Sequence, residues 1–360
     1  MKSCEPSTSA DGKGHASLTL PKVVRGIVCL SVLLLTAFMM LVYLGFLTAV
    51  PLRFFSVHYS RKAISFFFGI WLAFYFCGET VPPRERVLLI ANHRTEVDWM
   101  YLWDLALRKG RIGYIKYVLK SSLMKLPVFG WSFQLLEFIS VERKWEIDES
   151  SMHRMLQTFK DPRDPSGSLE QKCEGSQKYA AENGLPILKN VLLPKTKGFY
   201  ACLQELRASL DSVYDVTIGY KYRCPSFMDN AFGVDPAEVH VHVRRVHLDD
   251  IPMSENEVTS WLMDTFHFKD QLLSDFHSKG HFPNPGTEKE LSTVKCLLNA
   301  IGVIFLTCTC TYLTFFSSIW FKVYVSSVCA YLASATYFNI RPQPIAGYGK
   351  AVITRNSAKH

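Results

Sequence analysis

Charge is missing from long stretches of this sequence. Residues 26–50, 63–78, 296–321 and 323–340 contain no Asp, Glu, Lys or Arg, which excludes reading them as ordinary solvated surface. No nucleic-acid module accompanies the net charge of +8, and the basic residues are scattered among the apolar runs, so anionic lipid headgroups account for the charge better than nucleic acid does. The ten cysteines offer no pair at zinc-site spacing. Four of them, Cys296, Cys308, Cys310 and Cys329, sit in or beside the carboxyl-terminal apolar runs, and the set reads as reduced thiols packed as small apolar groups. No internal repeat is present. Apolar residues are abundant: 48% hydrophobic and 13% aromatic content over 360 residues excludes a disordered chain.

At about 1.5 Å of rise per residue, the run 26–50 is long enough to cross a bilayer core of roughly 30 Å. It continues to Pro51 and Arg53 without a small-residue processing site, which favours a retained membrane helix over a cleaved signal. The run 63–78 is marginal for a span, and a re-entrant segment fits it as well. Arg53, Arg61 and Lys62 argue against a simple lumenal loop between the two. Residues 296–321 and 323–340, separated by Lys322, predict a hairpin of two helices. Basic residues in both tails (Lys2, Lys13, Lys22, Arg25; Arg341, Lys350, Arg355, Lys359) favour the cytoplasmic side. The predicted organisation is therefore a tail (1–25), an amino-terminal membrane helix pair (26–78), a soluble-looking region (79–292), a transmembrane hairpin (293–341) and a second tail (342–360).

Within 79–292 the apolar run Val87–Ile90 predicts a strand buried on both faces, residues 98–108 a helix, Ile115–Met124 a second helix and 138–141 a short strand. Further strands are predicted at 187–193, 213–220 and 239–248; in the last, Val239, Val241 and Val243 alternate with His240, His242 and Arg244, implying one wet face. A final helix from about Ser254 to Phe276 repeats apolar residues at helical spacing. This order of elements indicates a mixed-sheet α/β domain flanked by membrane helices.

The chemistry concentrates in NHRTEVD at residues 92–98. On a regular helix His93 and Asp98 would point roughly 140° apart, so only a strand-to-helix turn, capped by Thr95 or Asn92, brings them together. In such a turn Asp98 orients one imidazole nitrogen and leaves the other as a general base. A surface histidine beside a helix-capping aspartate suits the same spacing. Neither serine nor cysteine stands beside the pair to form an acyl-enzyme, which favours direct attack by a substrate hydroxyl. A metal site is not expected, since no second histidine lies near at ligand spacing and HVHV at 240–243 reads as an exposed strand face.

NHxxxxD after an apolar strand resembles the first motif of the glycerolipid acyltransferases. YIKYVLKSSLMKLPVFGW at 114–131, FISVER at 138–143 and VLLPKTKGF at 191–199 resemble later blocks of that family, in the same order. YKYRCPSF at 220–227 and the carboxyl-terminal hairpin resemble eukaryotic, plant-like lysophosphatidic acid acyltransferases. The resemblance covers roughly residues 20–340 and implies transfer of an acyl group from acyl-CoA to 1-acyl-sn-glycerol 3-phosphate, giving phosphatidic acid. It implies His93 as general base, Asp98 as its partner, and Arg143 with Asn92 as substrate-binding residues. Acyl-CoA enters as co-substrate, with no further cofactor and no nucleic acid. The implied location is the endoplasmic reticulum membrane, with several membrane passes and the catalytic region facing the cytoplasm.

One family block, an apolar strand ending in Phe-Pro-Glu-Gly-Thr, has no counterpart between Arg143 and Val191. The Glu-Gly pair found there, Glu174 and Gly175 followed by Ser176, lacks an apolar strand before it, and residues 161–171 read as a loop punctuated by Pro162, Pro165 and Gly167. Glu174, Gly175 and Ser176 are accordingly weak candidates for a phosphate contact. Two rival readings stand beside the main one: an acyltransferase for another lysophospholipid, and a catalytically silent membrane homologue.

Overall fold

In chain order the elements are α1 (Leu20–Met39), α2 (Phe46–Phe55), α3 (Val57–Ala73), β1 (Val87–Ala91), α4 (Asp98–Arg108), β2 (Val118–Lys120), α5 (Phe129–Leu135), β3 (Ile139–Val141), α6 (Thr196–Leu206), β4 (Ser212–Tyr220), α7 (Phe227–Phe232), β5 (Val239–His247), α8 (Glu255–Lys279), α9 (Thr293–Phe316) and α10 (Ile319–Tyr337). They belong to a computed structural model that describes residues 19–73, 85–95, 97–108, 115–141, 176–178, 180–222, 224–234, 238–283 and 293–340. Two units emerge: Met1–Cys29 with Arg84–Leu102 and Val141–Glu288, and Leu30–Pro83 with Trp103–Ser140 and Lys289–His360.

The first unit is built on a mixed sheet of order β1-β4-β5, with β1 parallel and β5 antiparallel to β4. All nine residues of β4, SVYDVTIGY, are buried, as β-branched and aromatic side chains on a central strand should be. Helix α8 covers the face carrying Asp215, Thr217 and Gly219. A side chain at Gly219 would put its Cβ 2.9 Å from the Phe276 ring, so glycine is what allows the helix to approach. Ser254 caps α8 by accepting from the backbone N–H of Glu257, Glu255 and Glu257 occupy its first turn, and Gly280 closes it at φ 79°.

Several expectations need correction here. Strand β1 is buried on alternate residues, Leu88 and Ile90, rather than on both faces. Residues 187–193 form no strand, because the Asp270 carboxylate takes the backbone N–H of Lys189 (2.9 Å) and of Asn190 (2.5 Å) that a ladder would need. Leu188 and Val191 still enter the core against Leu272, Leu273, Phe276 and Phe282. On β5 the polar side chains do not make the wet face. Register pairs His240, His242 and Arg244 with Gly219, Thr217 and Asp215, on the side of α8. There the His240 ring lies 5.2 Å from Phe276, the His242 ring 5.7 Å from Phe282, and Arg244 4.8 Å over Phe268.

The second unit holds α2, α3, α5, α9 and α10 and nearly all of the two-stranded sheet β2-β3. Residues predicted as a helix over 115–124 instead form β2 and a 3-10 turn (Ser121–Lys125), since Tyr117 O accepts from Ile139 N at 2.9 Å and draws the segment towards β3. Tyr43, Cys310, Val328 and Leu332 share one apolar cluster. Tyr43 OH lies 2.8 Å from Thr314 Oγ1, and Tyr324 OH donates to Val42 O at 2.7 Å. Arg53 and Arg61, the charges that fitted no lumenal loop, both pair with the buried Glu137 carboxylate. The two predicted carboxyl-terminal helices form as α9 and α10, but the chain breaks at Ser317 and Ser318, where Ser318 caps α10, and Lys322, expected to separate them, lies inside α10. The second apolar run forms α3 as far as Ala73. Two helical stretches among the described residues, Leu20–Phe55 and Leu297–Phe316, are long and apolar enough to cross a membrane.

Candidate active site

Strand β1 delivers NHRTEVD at its carboxyl end, where the chain turns into α4. Asn92, 3% exposed, replaces one further rung of the β1–β4 ladder with its side chain: Nδ2 donates to Ile218 O at 2.9 Å, and Oδ1 accepts from Ile218 N at 2.7 Å. The residue the resemblance assigned to substrate thus has its amide occupied by the β4 backbone, fixing where His93 begins.

His93 Nδ1 lies 2.7 Å from Asp98 Oδ2. A carboxylate only accepts, so Nδ1 carries the proton and Nε2 is the basic nitrogen. The same Oδ2 accepts from the backbone N–H groups of Arg94 (2.6 Å) and Thr95 (2.9 Å), and Oδ1 accepts from Tyr220 OH. The turn from His93 to Thr95 is therefore wrapped around the carboxylate, which is buried while the imidazole remains 30% exposed. Burial first, and then the Asp98 charge, push the Tyr220 phenol far above its usual range, so it stays a donor.

Residues 220–222 and 224–227 form the other wall. Tyr220 reaches Asp98, Thr95 Oγ1 donates to Pro225 O at 2.7 Å, and the Tyr101 and Tyr220 rings meet edge to face at 5.9 Å. Thr95 and Asn92, expected as helix caps, direct their side chains to Pro225 and Ile218 instead. Cys224 stands close enough to Arg94 and Asp98 to feel both charges, yet burial raises its pKa. It is a thiol rather than a thiolate at neutral pH, poorly suited to attack.

Beneath the turn, on the other face of the sheet, Lys269 is wholly buried. Its ammonium pairs with Asp215 and donates to Val216 O at 2.6 Å and Ile90 O at 3.4 Å, tying β4 to the last residues of β1. Arg244 Nη2 reaches the second Asp215 oxygen at 2.8 Å. Burial lowers the pKa of the neighbouring His242.

Of the predicted site residues, Asn92, His93 and Asp98 come together. Arg143, Glu174 and Gly175 lie outside the described residues. Ser176 is described, and its Oγ accepts from Leu193 N at 3.0 Å. Sequence reasoning missed Tyr220 and Lys269 as supports. Strand alternation contained the clue to the first, since Tyr220 shares a face with Val216 and Ile218. Helical spacing contained the clue to the second, since Lys269 sits within the stripe Thr265, Leu272, Leu273, Phe276. Among the described residues no group of three or more His, Cys, Asp or Glu side chains is arranged to hold a metal ion.

The chain matches two family models, Acyltransferase over residues 74–221 and Acyltransferase C-terminus over residues 231–303. It is 61% identical over 356 residues to the probable 1-acyl-sn-glycerol-3-phosphate acyltransferase 5 of Arabidopsis thaliana, covering 92% of this chain and 95% of that protein. The 1-acyl-sn-glycerol-3-phosphate acyltransferase 2 of Brassica oleracea is 37% identical over 210 residues, 56% of this chain and 54% of its own length. Lysocardiolipin acyltransferase 1 of Mus musculus is 32% identical over 268 residues, 68% of this chain and 71% of its own. No solved structure matches the chain.

Proposed function

Because the chain belongs to the 1-acyl-sn-glycerol-3-phosphate acyltransferases, we propose that it transfers an acyl group from acyl-CoA to the free hydroxyl of 1-acyl-sn-glycerol 3-phosphate, giving phosphatidic acid and CoA. The observation that carries the mechanism is the 2.7 Å contact between His93 Nδ1 and Asp98 Oδ2. Nε2 of His93 takes the hydroxyl proton as that oxygen attacks the thioester carbon. The resulting imidazolium faces a carboxylate already held by three further donors, so no reorganisation is needed when the charge forms. Collapse of the tetrahedral intermediate expels the CoA thiolate, which recovers the proton from the imidazolium. Asn92 acts by positioning His93, and Arg143 serves the acceptor phosphate, where a guanidinium fork suits phosphate oxygens. The reaction needs no cofactor beyond its acyl-CoA co-substrate.

The proposed setting is the endoplasmic reticulum membrane, with several passes and the catalytic region on the cytoplasmic side. The helices Leu20–Phe55 and Leu297–Phe316 support membrane attachment. Similarity to a lysocardiolipin acyltransferase favours a second reading, in which another lysophospholipid is the acceptor.

One experiment addresses both. Detergent-purified protein is given acyl-CoA and a panel of lysolipid acceptors while released CoA thiol is measured. Lysophosphatidic acid should be the preferred acceptor, and His93→Ala should lower turnover about 10²- to 10⁴-fold without unfolding the protein. Preference for another acceptor would transfer the assignment to that lipid, and near wild-type turnover by folded His93→Ala would remove the histidine from the mechanism.

A further inference from the structure

Arg94 follows the histidine directly, and among the described residues its side chain has no ion-pair partner. A guanidinium is protonated at every relevant pH. This one is partly buried, yet no carboxylate pairs with it among the described residues; Asp98 accepts from the Arg94 backbone N–H, not from its side chain. Nη1 lies 3.2 Å from His277 Nε2 in the last turn of α8. Burial, followed by the charge of Arg94, lowers the His277 pKa, so the ring is a neutral acceptor that satisfies one N–H and none of the charge. The Nε–H is buried and has no hydrogen-bond partner among the described residues. Cys224 lies beside the same guanidinium as a protonated thiol. A cation taken partly out of water, whose described side-chain partners are neutral and which keeps one unused donor, is the arrangement that an anion completes.

We propose that Arg94 binds the phosphate of the acceptor lipid, a specificity contact supplied from within the catalytic turn itself. This rests on the acyltransferase reading above. Phosphate is the shared chemistry of both substrates, and distance along the molecule separates them. In 1-acyl-sn-glycerol 3-phosphate the phosphate is on the carbon next to the one bearing the attacking hydroxyl, so a hydroxyl at His93 keeps the phosphate within reach of the adjacent residue. The phosphates of acyl-CoA lie beyond the whole pantetheine arm from the reacting thioester. The fork of Arg94 can also offer Nε and Nη N–H groups together, as bidentate phosphate recognition requires.

The test uses the full-length protein in detergent with acyl-CoA and lysophosphatidic acid. Arg94→Gln should raise the KM for lysophosphatidic acid by roughly 10- to 100-fold, the scale of one charged hydrogen bond, while the KM for acyl-CoA stays at the wild-type value. Arg94→Lys, which keeps the charge and a donor towards His277, should recover much of the loss and guards against misfolding of the glutamine variant. An unchanged acceptor KM in Arg94→Gln overturns the proposal, and so does a rise in the acyl-CoA KM alone, which would assign the guanidinium to CoA. If wild type transfers no acyl group to any acceptor, the acyltransferase reading fails, and a binding measurement decides the inference separately. Lysophosphatidic acid should raise the melting temperature of the wild type and of His93→Ala but not of Arg94→Gln; equal shifts in all three, or none in any, would sink it.

Discussion

Two aspartates are buried on opposite faces of the same sheet, and their charges are met in opposite ways. Asp215, 2% exposed, faces the ammonium of Lys269 and the guanidinium of Arg244. Asp98, 3% exposed, is met by two backbone N–H groups, the Tyr220 phenol and the imidazole of His93. The first carboxylate is compensated permanently and holds β1, β4 and α8 together. The second is solvated by neutral donors, which preserve its charge and its position without cancelling it. A cation that exists only while a proton is in transit, such as an imidazolium, finds its counter-ion waiting there. Burial alone would not separate a scaffold carboxylate from one suited to catalysis; the nature of the donors does.

Exchanging each carboxylate for its amide tests that contrast most severely. Asp98→Asn should lower turnover about 10²- to 10⁴-fold with little change in melting temperature, since the step losing its counter-ion is proton transfer. Asp215→Asn should do the reverse. Leaving Lys269 and Arg244 without a carboxylate should destabilise the fold by about 3–5 kcal/mol, while the molecules that remain folded turn over normally. Thermal melts beside turnover per folded molecule provide the measurement. The contrast fails if both variants lose stability equally.

A smaller effect is expected from Tyr220→Phe, which removes one neutral donor from Asp98 and leaves the ring contact with Tyr101. Turnover should fall roughly 10-fold, the scale of one hydrogen bond to a charged group. Wild-type turnover would mean that the backbone donors alone hold the carboxylate.

The smallest lies at the other end of β4, where Glu85 accepts from Arg245, Tyr214 and Ser212. Arg245 and Tyr214 hold its carboxyl well below the usual 4.5, at about 2, against a burial effect that raises it. Because the folded value is the lower one, its stabilisation is complete above the unfolded value and disappears as pH falls through the interval from 4.5 to about 2. Melting curves of wild type and Glu85→Gln should therefore differ at neutral pH and converge with acidification; a constant gap would show that the carboxylate charge is not what matters.

Local pattern made much of this legible beforehand. Residues 98–108, the strands near 213–220 and 239–248, and the long helix from Ser254 onwards follow from apolar spacing and caps, and the His93–Asp98 turn follows from a strand running into a helix. What local pattern hid was long-range substitution. ILKNVLL has the composition of a strand, yet Asp270, a helix residue far along the chain, captures its N–H groups. HVHVRRVH has the alternation of a strand with a polar wet face, yet Phe276 of α8 and Phe282 just beyond its end draw the histidines to the covered side. Tyr220 and Lys269 look like ordinary residues until the sheet brings them under and beside the turn.

The turn also has a schedule. Asn92, Asp98 and Thr95 take partners 126, 122 and 130 residues further along the chain, on and just beyond β4. A ribosome that has released the histidine and the aspartate of NHRTEVD has still to translate the strand that aligns them. Synthesis therefore yields no partial catalyst: contacts of such sequence separation form only after β4 has left the exit tunnel, and until then the motif is a length of chain with its parts in the right order and nothing to hold them.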